Sequence, residues 1–263
     1  MLGLQTPTFY RQRGVRFTND GTDATRHAKV GDNGIYSLFG DGTTNAIVIA
    51  FCLYTPADMP SSGNYGLIGK DNEYSIYTNG LKIVAIKQDE SEDKNIFKQT
   101  GDVIVPGTKQ HFLIEFLPTG DDASGIGLIM VDGAISSDGG ATVESGFVKA
   151  EDGTGDFTIG AAFKLEDASS GFLRSRAGMI FSEVVVWKAE QGLTDAMALA
   201  YTNGGDPIDP LVNSGNYTVS NLVKSYWPCK RTKSTIQNWV LDISGESDEI
   251  EDDLGGTSHL DFV

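Results

Sequence analysis

The chain has 263 residues and a formal net charge of −16, with an isoelectric point near 4.4. So acidic a surface argues against nucleic acid and anionic membranes as partners, because both need Lys and Arg to bind them. Apolar residues make up 40%, enough for a core, the 32 glycines are dispersed at turn-like positions, and no run approaches the roughly 20 apolar residues of a membrane helix.

Residues 1–13 carry no strong pattern and read as an N-terminal extension, with no apolar run of signal-peptide length; the expectation is a protein made in a cytoplasm. Gly14–Thr18 reads as a short strand. The Gly-, Asp-, Asn- and Thr-rich stretch that follows reads as turns, with a short strand at Ile35–Phe39. Asn45–Tyr54 is apolar on both alternation phases, so it predicts a central strand covered on both faces. Cys52 lies inside it and reads as a small buried hydrophobe; no spacing pattern supports a Cys52–Cys229 disulfide. Tyr65–Lys70, Glu73–Thr78 and Leu81–Lys87 predict three consecutive strands, with Asn79-Gly80 as a type I′ hairpin turn. Further strands are expected at Lys94–Gln99, Val103–Val105, His111–Leu117, Gly127–Val131 and Asp156–Gly160, and a loop over Lys164–Arg176.

Met179–Trp187 is β-branched and aromatic, with Glu183 its one charge, and predicts a long strand. A short helix should follow. Thr194 is a good N-cap, Asp195 suits the positive end of the first turn, and Met197, Ala198 and Tyr201 share a face. Gly204-Gly205 is expected to end it with left-handed backbone. This ordered string resembles the closing strand and helix of laminin-G-like, concanavalin-A-like jelly-roll domains. Gly178, Ile180, Glu183, Val184, Val186, Trp187, Leu193, Thr194, Leu199, Tyr201, Asn203, Gly204 and Gly205 match the family pattern. Ser182 stands where the family has Asp, and Met197-Ala198 where it has Glu-Ile.

Other segments resemble the same family: Phe17 and Gly21 its opening strand, Asn45–Tyr54 an inner strand, Asp132-Gly133 a hairpin tip, and Asp156–Gly160 a later strand. The resemblance covers about residues 14–205, and 206–245 more loosely. Leu222–Trp227 and Asn238–Ser244 resemble a segment that trails these domains in bacterial and phage proteins. The implied fold is all-β: a jelly-roll sandwich of two antiparallel sheets with one short helix, and residues 206–263 as a C-terminal segment packed on it. Glu246–Asp253 holds six carboxylates in eight residues and reads as a solvated acidic tail.

Chemistry is sparse. Retaining glucanases of this fold need two carboxylates about 5–5.5 Å apart on one face. Glu246, Asp248 and Glu251 fit the letters E-x-D-x-x-E, but the run lacks β alternation and sits in the acidic tail. The three histidines share no metal-ligand spacing, and no nucleophile elbow, phosphate loop or C-x-x-C occurs. The expectation is therefore no catalysis and no cofactor. Calcium remains open, through the pairs Asp121/Asp122 and Asp152/Asp156, neither of which completes a calcium loop.

A sugar offers an apolar C–H face and many hydroxyls. Tyr65, Asp71, Asn72 and Tyr74 provide that mixture around one predicted loop, and Asp167 could join them. The same residues also read as ordinary turn polars and half-buried strand tyrosines. The resemblance implies a non-enzymatic bacteriophage virion surface protein (capsid-decorating, fibre or tail), with other virion proteins as partners, whose domain either binds a host-surface glycan or simply covers the shell. Such a protein should be a symmetric oligomer or dock on a lattice. The alternatives are a bacterial carbohydrate-binding module and a glycoside hydrolase of the same fold.

Overall fold

In the computed structural model the described residues form twenty strands and one α-helix. Residues 15–17, 27–31, 34–40, 43–70, 73–88, 95–117, 125–136, 142–143, 155–163, 172–227, 251–252 and 260–262 are described. The strands begin with β1 (Val15–Phe17), β2 (Ala28–Val30), β3 (Phe39–Gly40), β4 (Thr43–Thr44), β5 (Ala46–Tyr54), β6 (Asn64–Lys70) and β7 (Tyr74–Asn79). Next come β8 (Lys82–Gln88), β9 (Asn95–Gln99), β10 (Lys109–Phe116), β11 (Ile126–Val131), β12 (Ala134–Ile135), β13 (Thr142–Val143) and β14 (Phe157–Ile159). The last are β15 (Ala161–Phe163), β16 (Phe172–Arg174), β17 (Ile180–Ala189), helix α1 (Asp195–Thr202), β18 (Val223–Trp227), β19 (Glu251–Asp252) and β20 (Leu260–Phe262).

Two eight-stranded sheets carry the fold. The first runs β12-β11-β10-β5-β17-β1-β20, with β18 also paired to β17. The second runs β13-β9-β8-β7-β6-β14-β2-β19. Their pairings are antiparallel. β5 sits mid-sheet between β10 and β17, as its two apolar phases require. Ile47, Ile49, Phe51 and Leu53 face the core between the sheets. Val48 and Ala50 face outward, beneath α1 and the segment after it. The first sheet is thus covered twice, by the second sheet inside and by residues 193–222 outside. A third, smaller cluster forms where Ala162 and Leu173 of the β15–β16 hairpin lie over Tyr77, Val84 and Ile86.

Long polar side chains tie these layers. Lys87 Nζ donates to Leu117 O at 2.7 Å and Lys98 Nζ to Gly127 O at 2.8 Å, each crossing from the second sheet to the first. Glu115 is buried on the outer face and accepts the N–H groups of Leu193 (2.6 Å) and Leu128 (3.3 Å). Gly192 makes room for it: a Cβ there would meet Glu115 Oε1 at 2.0 Å, and φ is +37°. Glu115 therefore fastens the lead-in of α1 to the sheet. Burial raises its pKa, against the pull of these two donors.

Several expectations shift. Ile35–Phe39 is mostly turn, because Tyr36 and Leu38 are held by burial rather than by a sheet partner; strand begins at Phe39. Val103–Val105 is extended but unpaired as strand: Val103 and Ile104 donate to Leu81 O, and Gln110 takes Val105 N–H. The β7–β8 turn is one residue later than expected. Asn79 pairs with Lys82, so Gly80 (φ +60°) and Leu81 are the central residues. A single positive φ at the first centre is a type II′ pattern, not I′. The Lys164–Arg176 stretch contains strand β16. Thr194 caps α1 through Met197 N–H at 3.3 Å, but the left-handed C-cap is Asn203 (φ 42°), with Gly204 and Gly205 following at positive φ. Cys52 is buried, and Cys229 lies outside the described residues. No helix among the described residues is long and apolar enough to cross a membrane.

Two buried groups titrate in opposite senses. Glu73 ion-pairs with Lys70 at 3.1 Å and accepts Leu38 N–H at 2.9 Å. Burial outweighs both and lifts its pKa to about 7. His111, buried and beside Lys109, is pushed down to about 4, chiefly by burial. As pH rises from about 4.5 to 7 the unfolded chain loses the Glu73 proton first, so stability falls. As pH rises from about 4 to 6.5 the unfolded chain loses the His111 proton while the native ring is already neutral, so stability rises. The two contributions oppose each other between about pH 4.5 and 6.5.

Glu73→Gln should therefore make unfolding free energy climb with pH across that window relative to wild type, by up to about 3 kcal/mol. Urea titrations at a series of pH values test this; parallel profiles would refute it. Gly192→Ala should cost about 2–4 kcal/mol, through backbone strain and overlap with Glu115. In combination with Glu115→Ala its cost should shrink, and additive losses in denaturant titrations would contradict the contact.

Candidate functional site

The outer cover of the first sheet ends at a cleft of about 430 Å³. Its floor comes from three strands and the helix: Cys52 of β5, Glu183 of β17, Tyr226 of β18 and Tyr201 of α1. Lys109 and Gln110, which start β10, form one wall, and residues 205–210 form the other.

Glu183 owes its place to a β-bulge. The β5–β17 register runs Ser182↔Cys52 and then Val185↔Ala50, so β17 carries one residue too many. Glu183 takes left-handed backbone, φ 53°, to absorb it. After the bulge Val184 and Val186 face the core and Val185 and Trp187 face outward. A non-glycine residue at such a φ is uncommon, and bulges of this kind re-aim a side chain. Here the carboxylate is aimed at the cleft, where Oε2 accepts the hydroxyl of Tyr226.

The facing wall is fixed by hydrogen bonds. Ile208 N–H donates to Tyr201 O at 3.0 Å, and Asp209 Oδ1 accepts Leu211 N–H at 2.9 Å. Trp187 Nε1 donates to Tyr217 Oη at 3.0 Å, and Tyr217 in turn donates to Pro210 O at 2.6 Å. The Gln110 side chain is held at both ends: Oε1 accepts Val105 N–H, while Nε2 donates to Val103 O and to Asp132 Oδ2. Asp132 also accepts His111 N–H at 2.8 Å. The Asp132-Gly133 tip packs against the end of α1, where a Cβ on Gly133 would meet Gly204 Cα at 2.6 Å.

Tyr201, on the floor, is packed among other rings. Tyr201 is 1% exposed and makes T-shaped contacts with Trp187 (4.7 Å) and His111 (5.5 Å). Burial, and then the nearby Cys52, Tyr226 and Glu183, raise its pKa well above the ordinary tyrosine value, so it stays a neutral phenol. Beside these rings the cleft is lined by the acidic residues Glu183, Asp206 and Asp209 and by Lys109.

Those of the residues singled out by sequence that are described fall elsewhere. Tyr74 is fully buried, donates its hydroxyl to Tyr36 O at 2.7 Å and stacks on Phe116 at 4.7 Å. It is a core residue and presents no face to a ligand. Tyr65 lies at the other end of the β6–β7 hairpin, paired with Thr78, so the two tyrosines are not brought together. Its ring lies under Arg176 at 5.9 Å, and Arg176 pairs with Asp58 at 2.7 Å. Asp71, Asn72, Asp167, Asp121, Asp122 and Asp152 lie outside the described residues. Asp156 pairs with Lys29 at 3.3 Å. Among the described residues no group of three or more His, Cys, Asp or Glu is placed to hold a metal ion. Glu246 and Asp248 lie outside the described residues, and Glu251 is in β19, paired in register with Lys29. The cleft residues were missed because they come from five separate segments. Two signals were present: a lone charge inside the apolar strand, Glu183, and the run Asp206–Pro210 after the Gly-Gly stop.

No family model matches the chain, and no curated protein matches it. Solved structures do. A protein described as carbohydrate-binding, from Bacteroides ovatus, superposes with a TM-score of 0.52 at 14% identity, covering 90% of this chain and 57% of that one. This chain thus spans little over half of that protein. A heptameric SAP-like pentraxin from Limulus polyphemus gives 0.43 at 12% identity, over 75% of this chain and 85% of that one. The CBM40 of Ruminococcus gnavus IT-sialidase, bound to α2,3-sialyllactose, gives 0.40 at 10%, over 73% and 96%. Two large antiparallel sheets, one short helix and the likeness to the Bacteroides ovatus protein make the fold an all-β jelly-roll sandwich of the concanavalin-A-like class.

Proposed function

We propose that this chain is a non-catalytic glycan-recognition domain whose binding site is the cleft over Cys52, Glu183, Tyr201 and Tyr226. The cleft itself carries the reading. It sets three carboxylate acceptors against the Lys109 donor across about 430 Å³, a volume that suits one or two sugar rings. Sugar hydroxyls both donate and accept, so a mixed lining of this kind satisfies them. The Bacteroides ovatus protein of the same fold is described as carbohydrate-binding, which agrees with this reading.

The domain is read as non-catalytic because two of the cleft's three acidic groups have structural partners: Glu183 accepts from Tyr226 and Asp209 accepts from Leu211 N–H. In setting, the chain is a bacteriophage virion surface component that docks on other virion proteins and presents the cleft to a host-surface glycan. The resemblance of Leu222–Trp227, here β18 beside the cleft, to segments that trail such domains in phage chains supports that setting.

A glycan array on the full chain should give a defined set of hits. Glu183→Gln, which keeps the shape and removes the charge, should weaken the best of them about tenfold, equivalent to about 1.4 kcal/mol. An empty array, or unchanged affinity in the variant, would overturn the site. Mass photometry of the same sample should show a symmetric oligomer; a monomer at all concentrations would argue against the virion setting and for a free carbohydrate-binding module.

A further inference from the structure

The face that carries the cleft continues past it along β5. Side chains two residues apart on a strand share a face. Ile47, Ile49, Phe51 and Leu53 take the inward phase, and β5 pairs with β10 without a register shift from Ile47 to Tyr54. Tyr54 therefore stands on the outer face with Cys52 of the cleft floor, about 6.8 Å further on at about 3.4 Å per residue. Across the ladder it pairs with Lys109, which lines the cleft, and on the other side with Ile180.

Tyr54 also differs from the other described tyrosines. Tyr36, Tyr74, Tyr77, Tyr201, Tyr217 and Tyr226 are buried, and Tyr65 lies under Arg176. Tyr54 is half-buried. Among the described residues its ring meets no other ring and its hydroxyl no hydrogen-bond partner. The cleft's own tyrosines, Tyr201 and Tyr226, are 1% and 8% exposed and give a ligand no ring face. The open aromatic surface next to the cleft is thus Tyr54, one step along the same face.

We infer that Tyr54 is the platform of a second subsite, so that the site takes at least two linked sugar units, one in the cleft and the next over the Tyr54 ring. The inference rests on the glycan-recognition reading and adds the length of the ligand and the residue that sets it. The unit in the cleft gives its hydroxyls to the polar lining. The next unit lays its apolar C–H face on the tyrosine, a rigid ring with an apolar body and a polar tip. Lys109 stands where the two subsites meet.

The test is titration calorimetry of the full chain with glucose, galactose, mannose and N-acetylglucosamine, each as the monosaccharide and as its 1,4-linked disaccharide. The strongest array hit is added as a fifth series, as a disaccharide and as its terminal unit. In a series that binds, the disaccharide should bind at least about tenfold tighter than the single unit. Tyr54→Ala should bring that ratio down to about twofold or less, and Tyr54→Phe, which keeps the ring, should retain it. Equal binding of one unit and two overturns the inference and leaves glycan recognition intact. A ratio that survives Tyr54→Ala overturns it as well, because the second unit then gains its contacts elsewhere. That includes a variant that binds both lengths more weakly in equal measure, which marks a structural role for the ring. If no series binds and the array is empty, the glycan-recognition reading fails and this inference with it.

Discussion

The first sheet has two apolar faces, and that forces the rest of the architecture. β5 and β17 are buried along nearly their whole length on both sides. A two-layer sandwich covers one face only. The other face carries Val48, Ala50, Leu113, Val185 and Trp187, and leaving these in water would cost about 1.5–3 kcal/mol for each large side chain. Residues 193–222 exist, in structural terms, to cover it. Helix α1 lays Ala198 and Tyr201 on that surface, and the segment after it adds Tyr217 and Val219. The chain then returns to the same sheet as β18, beside β17.

A cover of this kind needs fastening, because a short helix is marginal by itself. Two close approaches do it. At one end Glu115 reaches between Gly127 and Gly192 and takes two backbone N–H groups. At the other, the Asp132-Gly133 tip meets Gly204 and Gly205. Both depend on glycines that lie far from their partners in sequence. Gly133 and Gly205 each read locally as turn residues; the structure adds that a Cβ on Gly133 would meet Gly204 Cα at 2.6 Å and one on Gly205 would meet Asp132 Cα at 3.2 Å, so the hairpin tip and the helix end approach each other through them.

The sequence was legible where one segment decides its own fate. The long strands at 45–54 and 180–189, the helix with its Thr194 cap and the 65–87 hairpins all follow from local periodicity and turn chemistry. The jelly-roll class follows from their order. Legibility failed where a tertiary partner decides. Tyr36 and Leu38 carry a strand-like pattern, yet Tyr36 stacks on Phe157 and Trp227, and Leu38, fully buried, gives its N–H to Glu73 rather than to a sheet partner. Tyr74 looked like a rim residue because turn polars follow Lys70, but the ring belongs to the inward phase of β7 and is core. The cleft was invisible as a unit because β10, β5, β17, β18 and α1 each give it one or two residues. Only the pairing of Cys52 with both His111 and Ser182 places a row of small polar groups across three strands.

The cleft lies beside that row. Toward the other end of the same strands the outward positions are Val48, Leu113 and Trp187, and the cover lies flat on them. At the row of His111, Cys52 and Ser182 the side chains are still buried, with Tyr201 of α1 against His111. The bulge at Glu183 falls in the same row and puts a carboxylate there in place of another hydrophobe. The cleft opens beside that carboxylate, between it and residues 205–210, a loop that carries Pro207 and Pro210. The shape of the cleft is set by the strands beneath and by the backbone bonds that hold the loop above, so a ligand of the proposed kind would meet a preformed cleft and lose little affinity to the ordering of side chains.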